Sequence, residues 1–524
     1  MSTFSQTGHN RPSKNKFDLS HERKFSMKMG DLVPMLVQEI MPGDSFRVNT
    51  EILMRLAPLE SPVMHRINVY THFFFVPNRI NWNEWEEFIT GGREGTSAPA
   101  FPSIQVNELT KDRFGPGSLA DYFGLPSPSG TVTGIDINAL PFKAYQDIYN
   151  EYYRDQNLTP EINIPHTGGI ETDTVTIQTL AAMRKRAWEK DYFTSALPWP
   201  QRGDEISLPL GDSAPVVYAD PINKTDLPSI KDSGTGANFA GTLDVSTGFL
   251  RTAGGGSLKY IDPNDSLEAD LSSATAITIN TLRMANQLQV WLEKSARAGS
   301  RYIEQIEVLF GVRSSDARLQ RPEYLGGGKQ PVVISEVLNS TTSDAAGAPE
   351  VGELYGHGIS VGKSNNFTKT FEEHGFVIGI ISVLPATTYQ QGMEKIWTKF
   401  DKFDYPFPSF AHLGEQEIKD SEIFYNFGDV HIGQLTSTFG YQQRYAEYKY
   451  KESSVHGEFK TTLDYWHMSR IFSGPPALNT AFVEADPTKR IFTVTDPAVD
   501  ELYVQLYHNI SALRPLPYHS IPSL

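Results

Sequence analysis

Ten residues from Ile67 to Val76, INVYTHFFFV, put Ile67, Val69, Thr71, Phe73 and Phe75 on one side of an extended chain. Apolar, β-branched and aromatic residues at period two read as a strand with one face in a core. Just upstream, FRVNTEILMR from Phe46 to Arg55 repeats the pattern with Val48, Thr50, Ile52 and Met54, and Pro58 and Pro62 lie between the two as a turn requires. A chain of 524 residues that continues this way, punctuated by 41 Gly and 34 Pro, favours a loop-rich β protein over a helical bundle.

Further strands are predicted at Ile303 to Phe310, Pro331 to Leu338, Phe376 to Leu384, Glu458 to Leu463, Arg490 to Thr495 and Glu501 to Tyr507. Helices are fewer. Asn81-Trp82-Asn83 opens a short one with Trp85 and Phe88 facing inward. Pro141 sits in the first turn of another reaching about Asp155, with Phe142, Tyr145, Tyr149 and Tyr152 in one stripe. A third covers Ile177 to Lys190. A fourth, Thr281 to Ala298, lines up Leu282, Ala285, Leu288, Leu292 and Ala296. Residues 91–135 read as a surface excursion, and from Gly211 to Ser273 periodicity disappears under Gly, Ser, Thr, Asp and Asn. An eight-stranded sandwich takes only about 100–200 residues with its turns. Most of residues 81–300 must therefore be excursion, and that much loop calls for neighbouring copies to bury it.

Charge and composition exclude several roles. Cys is absent, so disulfides and Cys-based zinc sites are out. The N-terminus has no apolar h-region, and no run of about 18 apolar residues exists, so neither a secretory signal nor membrane insertion is expected. A net charge of −16 makes the surface as a whole repel nucleic acid. The exception is residues 9–28, where Arg11, Lys14, Lys16, Arg23, Lys24 and Lys28 face only Asp18 and Glu22. Such a basic arm can lie against a polyanion, or simply be a solvated tail.

No catalytic or cofactor motif stands out. Gly358 to Ser364 (GISVGKS) is near a phosphate-binding loop, but His357 occupies the position of its first Gly and no apolar strand precedes it, so a surface turn is the reading. Gly326-Gly327-Gly328-Lys329 runs into Pro331 as a flexible connector. Asp262, Asn264, Asp265, Glu268 and Asp270 could hold a hard cation such as calcium, but the spacing matches no calcium loop. Tyr441 to Lys451 (YQQRYAEYKYK) interleaves aromatic and basic residues as a base-stacking surface does, and suits a subunit contact better. The abundant aromatics, loops and acidic charge would suit a carbohydrate-binding or carbohydrate-cleaving β-sandwich, and the long variable loop alone would suit a spike or receptor-binding protein.

Long ordered segments carry a family likeness: SHERKFSMKMGDLVPMLVQEIMPGDSFRV (20–48), HFFFVPNRINWNEWEEF (72–88), YFTSALPWPQRGDEISLPL (192–210), LEKSARAGSRYIE (292–304), FGVRSSDARLQRPEYLGGG (310–328), TTYQQGMEKIW (387–397), FGYQQRYAEYKYKESSVHGEF (439–459) and LRPLPYHSIPSL (513–524). The chain resembles the major capsid proteins of microviruses, closest to the gokushovirus branch. The resemblance implies a mainly β chain with a single eight-stranded antiparallel jelly-roll barrel and long interstrand insertions containing a few α-helices. It implies a structural protein, not an enzyme, with no cofactor, that assembles as about sixty copies into a T=1 shell around single-stranded DNA. Partners are then a small basic internal DNA-binding protein, a scaffolding protein during assembly and a bacterial surface receptor. Its place is the virion capsid, assembled in the host bacterial cytoplasm.

In this numbering, residues 1–30 form the inward-facing arm, with Arg11, Lys14, Lys16, Arg23 and Lys24 as the DNA-facing candidates. Residues 31–524 form the capsid domain, with a helix-containing insertion at 81–200 and a variable surface protrusion at 211–273. The protrusion is expected at the threefold axes, where Phe239, Phe249, Leu250 and Tyr260 are candidate contacts between copies. Because Pro34, Pro42, Pro515, Pro517 and Pro522 cannot donate to a ladder, the chain ends, including a C-terminal arm at 508–524, are expected to run along neighbouring subunits.

Overall fold

A computed structural model describes residues 13–204, 206, 279–299, 301–338, 354–363, 366–426 and 436–519, with short strands between 216 and 269. The chain divides into two compact units, Met1–Arg202 with Glu293–Leu524, and Gly203–Leu292.

The larger unit is built on two antiparallel sheets whose strands we number β1 to β11. They are β1 Asn15–Asp18, β2 His21–Met27, β3 Val33–Ile40, β4 Ser45–Leu56, β5 Ile67–Pro77, β6 Glu323–Pro331, β7 Val333–Leu338, β8 Leu354–Lys363, β9 Phe367–Thr370, β10 Gly375–Pro385 and β11 Leu502–Arg514. In the 7-stranded sheet, β1 and β2 run along one side of β11, β4 along the other, then β8 and β9, and β7 at the edge. The 4-stranded sheet has the order β6-β5-β10-β3. One core fills the space between them: Phe46, Val48, Ile52 and Met54 from β4 and Leu502, Val504, Leu506 and Ile510 from β11 meet Ile67, Val69, Phe73 and Phe75 from β5 and Val377 and Ile381 from β10. Each such side chain, fully buried, contributes roughly 1.5–3 kcal/mol.

The mainly β, antiparallel expectation holds, with the strands at Phe46 to Arg55, Ile67 to Val76 and Phe376 to Leu384 on their predicted ground. Among the described residues the two sheets share no strand pairing and close no barrel. β5 and β10 are buried on both faces. Phe74, Val76, Ile378 and Ile380 point away from the sandwich into a second core with Trp82, Ile104, Phe142, Tyr145 and Ile148. The helix Leu140–Ile148, continued by the wider turn Tyr149–Tyr153, lies in that layer with Pro141 in its first turn. The outer face of the 4-stranded sheet is thus covered by the insertion.

Several expectations are corrected. Ile303 to Phe310 is the helix Tyr302–Phe310: the Glu304 carboxylate accepts the Arg301 backbone N–H, and Gly311 ends the helix at φ 69°, so end chemistry overrides β-branched composition. The helix at 177–190 stops after Thr174–Leu180. Beyond it the backbone is taken by neighbours, with Leu32 N–H donating to the Arg184 carbonyl and Arg186 N–H to that of Gly30. Glu458 to Leu463 contains a short 3₁₀ turn, Gly457–Lys460, and Arg490 to Thr495 makes only an isolated bridge from Phe492 to Leu59. Trp82 is the buried aromatic of its region, whereas Trp85 is half-buried and Phe88 exposed. The chain ends are not simply arms. Residues 15–27 pair with β11, and 508–514 complete β11 in the middle of a sheet, because the prolines fall only beyond it. Pro34 sits in edge strand β3 beside a bulge.

The smaller unit contains three nested antiparallel ladders: Val216–Tyr218 with Leu267–Ala269, Ser229–Asp232 with Leu258–Ile261, and Leu243–Asp244 with Arg251–Thr252. Each pairing is antiparallel, and in sequence the outer segments enclose the inner ones. The helix Ile279–Ala298 follows as expected, with Ala296 buried but Leu282 and Leu288 exposed.

Candidate nucleic-acid interface

Alternation in β4 and β11 sends every second side chain away from the core, and this outer face is not covered by the insertion layer described above. In an antiparallel ladder, directly paired residues point to the same side, so the register writes out the face row by row. Ser26, Tyr503, Arg55 and Ile359 form one row, and Lys24, Gln505, Leu53 and Val361 the next. Glu22, Tyr507, Glu51 and Lys363 follow. Asp18, Ser511, Arg47 and Thr368 come later, then Lys16, Leu513, Ser45 and Thr370.

Five cations (Lys16, Lys24, Arg47, Arg55, Lys363) thus share the rows with three carboxylates (Asp18, Glu22, Glu51), and Asp500 accepts from the Ser26 hydroxyl at their edge, which still leaves a small positive excess on a chain of net charge −16. Lys24 pairs with Glu22 at 2.9 Å and Lys363 with Glu51 at 2.6 Å. Asp18 accepts from the Ser20 hydroxyl and backbone N–H, which lowers its pKa. Arg47 and Arg55 make no ion pair among the described residues. Tyr503 and Tyr507 stand 48% and 41% exposed between the cations. Cations along a backbone track with aromatic rings between them are what a single strand needs: charge for phosphates, and flat faces for bases.

The predicted DNA-facing residues separate here. Lys16 and Lys24 lie on this face. Arg23 pairs with Leu506 and so points to the core side, where its guanidinium donates to the Tyr122 carbonyl at 2.5 Å and burial lowers its pKa. Lys14 donates to the Gly43 carbonyl at 2.5 Å. Arg11 lies outside the described residues. So do Phe239, Phe249 and Leu250; Tyr260 falls in the ladder Ser229–Asp232 with Leu258–Ile261. Of the acidic cluster, Asp262, Asn264, Asp265 and Asp270 are outside as well. The near phosphate-binding loop is strand β8 as far as Lys363. Sequence reasoning missed Arg47, Arg55, Tyr503 and Tyr507, although the same alternation that put Val48 and Ile52 inside puts Arg47 and Arg55 outside.

Beneath this face a buried polar link joins the sheets. The β3–β10 register skips Met35, leaving its carbonyl out of the ladder. His508, fully buried, meets that carbonyl through Nε2 at 2.9 Å and the Thr50 hydroxyl through Nδ1 at 2.9 Å. A carbonyl only accepts, so Nε2 carries the proton and Nδ1 accepts from Thr50. Burial pushes the His508 pKa down to about 4.

Known proteins agree with one another on this chain. A family model described as capsid protein (F protein) matches residues 5–524. The capsid protein VP1 of Bdellovibrio phage phiMH2K is 37% identical, covering 99% of this chain and 97% of its own. That of Chlamydia phage 1 is 35% identical over 98% and 96%, and that of Spiroplasma virus 4 is 32% identical over 99% and 97%.

Proposed function

Because the chain belongs to the capsid protein (F protein) family of phages, we propose that it is the wall subunit of a T=1 shell enclosing a circular single-stranded DNA genome. The match along 5–524 carries this reading. In it, the two sheets are the two halves of a jelly roll, about sixty copies close the shell, and the role is structural with no catalytic step. The outer face of the 7-stranded sheet then looks inward. It carries a local positive excess, while the opposite side of the sandwich lies under the insertion.

The net charge is −16 with these five cations already counted, and phosphate repulsion acts over about 8–10 Å, so a small basic internal protein supplies further neutralisation of the genome. A scaffolding protein acts during assembly in the host cytoplasm. Residues 211–273 form the protrusion at the threefold axes, where Phe239, Phe249, Leu250 and Tyr260 are the candidate contacts between copies and the tip touches a bacterial receptor.

The test is expression of the chain with the other virion genes of its phage, followed by sedimentation, negative-stain microscopy and nuclease treatment. Icosahedral particles protecting circular single-stranded DNA are expected. Substituting Lys16, Lys24, Arg47 and Arg55 together by Gln should leave shells but weaken their hold on DNA. For single strands the slope of log affinity against log salt is about −0.7 per phosphate contact, so four lost contacts flatten it by about 3 units. Small oligomers that bind glycans and never form particles would replace this reading with the carbohydrate-binding one.

A further inference from the structure

Between Ile396 and Leu413 the chain does the reverse of what a monomer's surface does. Ile396, Trp397, Phe400, Phe403, Tyr405, Phe407 and Leu413 are 67%, 71%, 90%, 53%, 54%, 41% and 64% exposed. The segment is nevertheless tied down by its polar groups. Lys399 Nζ donates to the Tyr448 hydroxyl at 2.8 Å and pairs with Glu447 at 3.4 Å. The Asp404 carboxylate accepts the backbone N–H groups of Phe400 and Asp401 at 2.8 and 2.7 Å. Phe407 N–H donates to the Tyr445 hydroxyl at 3.2 Å, and Lys395 Nζ to the Glu417 carbonyl at 3.2 Å. Phe403, Phe407 and Phe410 hold one another with ring centroids 5.8–6.5 Å apart. Polar groups face the body and rings face out.

Scaled by those exposures, the five aromatic side chains at roughly 150–250 Å² each offer roughly 450–800 Å², and Ile396 and Leu413 add to it. The largest apolar patch on an ordinary monomer is about 300–600 Å², whereas one side of a stable protein interface takes about 800 Å². The charge along the segment cancels, with Lys395, Lys399 and Lys402 against Glu394, Asp401 and Asp404. It therefore offers no electrostatic attraction to DNA or to an anionic lipid surface. We propose that Ile396–Leu413 is a contact between copies of this chain, with Trp397 and Phe400 as its anchors. This rests on the capsid reading, which supplies the second copy.

The absence of Cys from the chain makes the test direct. Phe400→Cys introduces a single thiol at a 90% exposed position. In particles made with the other virion genes, it should react with a maleimide roughly tenfold more slowly than in dissociated subunits, since the centre of an interface excludes water. A bifunctional maleimide should join two 58.5 kDa chains. The double variant Trp397→Asp, Phe400→Asp should keep the circular-dichroism spectrum of the parent and yield no particles. Equal labelling in particles and subunits, cross-linking to a different polypeptide, or a normal particle yield from the double variant would overturn the proposal. If the double variant does not fold, labelling of Phe400→Cys still decides. Failure of the unmodified chain to form particles would instead sink the capsid reading itself.

Discussion

His508 offers a measurement that isolates one buried group. The folded protein holds its imidazole neutral, with a pKa near 4, against 6.5 for an ordinary His. Between those values the unfolded chain binds a proton that the folded chain does not. Stability from this group is therefore complete above pH 6.5, falls as pH drops toward 4, and is level below. One titrating His with these two pKa values removes about 2 kcal/mol between pH 7.5 and pH 5. His508→Gln should keep both hydrogen bonds, with its amide NH₂ on the Met35 carbonyl and its amide oxygen accepting from Thr50, while removing the titration.

Urea unfolding of the two proteins across pH gives the comparison. His65 and His72, also pushed down to about 4 by burial, add the same slope to both. Asp147 and Glu452, raised to about 8 by burial, favour the fold as pH falls and cancel equally. The difference between the variant and its parent should therefore shift by about 2 kcal/mol in favour of the variant from pH 7.5 to pH 5. A difference that stays constant across that range would show that His508 is not held neutral, and the assigned tautomer would fall with it. His508→Leu, which strands a buried carbonyl and a buried hydroxyl, should cost about 2–5 kcal/mol at pH 7.5.

Arg514 donates to the Glu39 carbonyl at 2.7 Å and pairs at 3.1 Å with Asp44, which is fully buried. Truncation after Arg514 should leave a folded subunit, whereas removing Arg514 as well should cost about 3–5 kcal/mol by stranding that carboxylate; equal urea midpoints would contradict this. Arg23→Gln should lower the midpoint through the lost charged hydrogen bond to Tyr122, about 1.5–3 kcal/mol, without changing the DNA content of particles. A packaging defect at normal stability would return Arg23 to the DNA face. Replacing residues 225–265 by a short Gly-Ser linker should leave particle yield intact and reduce adsorption to host cells, and normal adsorption would place attachment elsewhere on the capsid.

The sequence alone determined what depends on neighbours along the chain. Period-two alternation is a property of a few consecutive residues, so it placed Phe46 to Arg55 and Ile67 to Val76 in strands, with Val48 and Ile52 on one face of the first and Phe73 and Phe75 on one face of the second. Loss of that periodicity marked 211–273 as an excursion. The tertiary structure decided what depends on partners far away in sequence. Ile303 to Phe310 looked like a strand by composition, and end contacts made it part of the helix Tyr302–Phe310. Residues 184–186 looked helical, but backbone groups from Gly30 to Leu32 claimed them. The basic arm lost Arg23 to the core side once β2 took its register on β11, while Lys16 and Lys24 joined Arg47, Arg55 and Lys363. Each of those cations is unremarkable in its own segment. They become one surface only because pairing between distant strands sets which of two opposite sides each residue takes, and a slip of one residue would reverse every side.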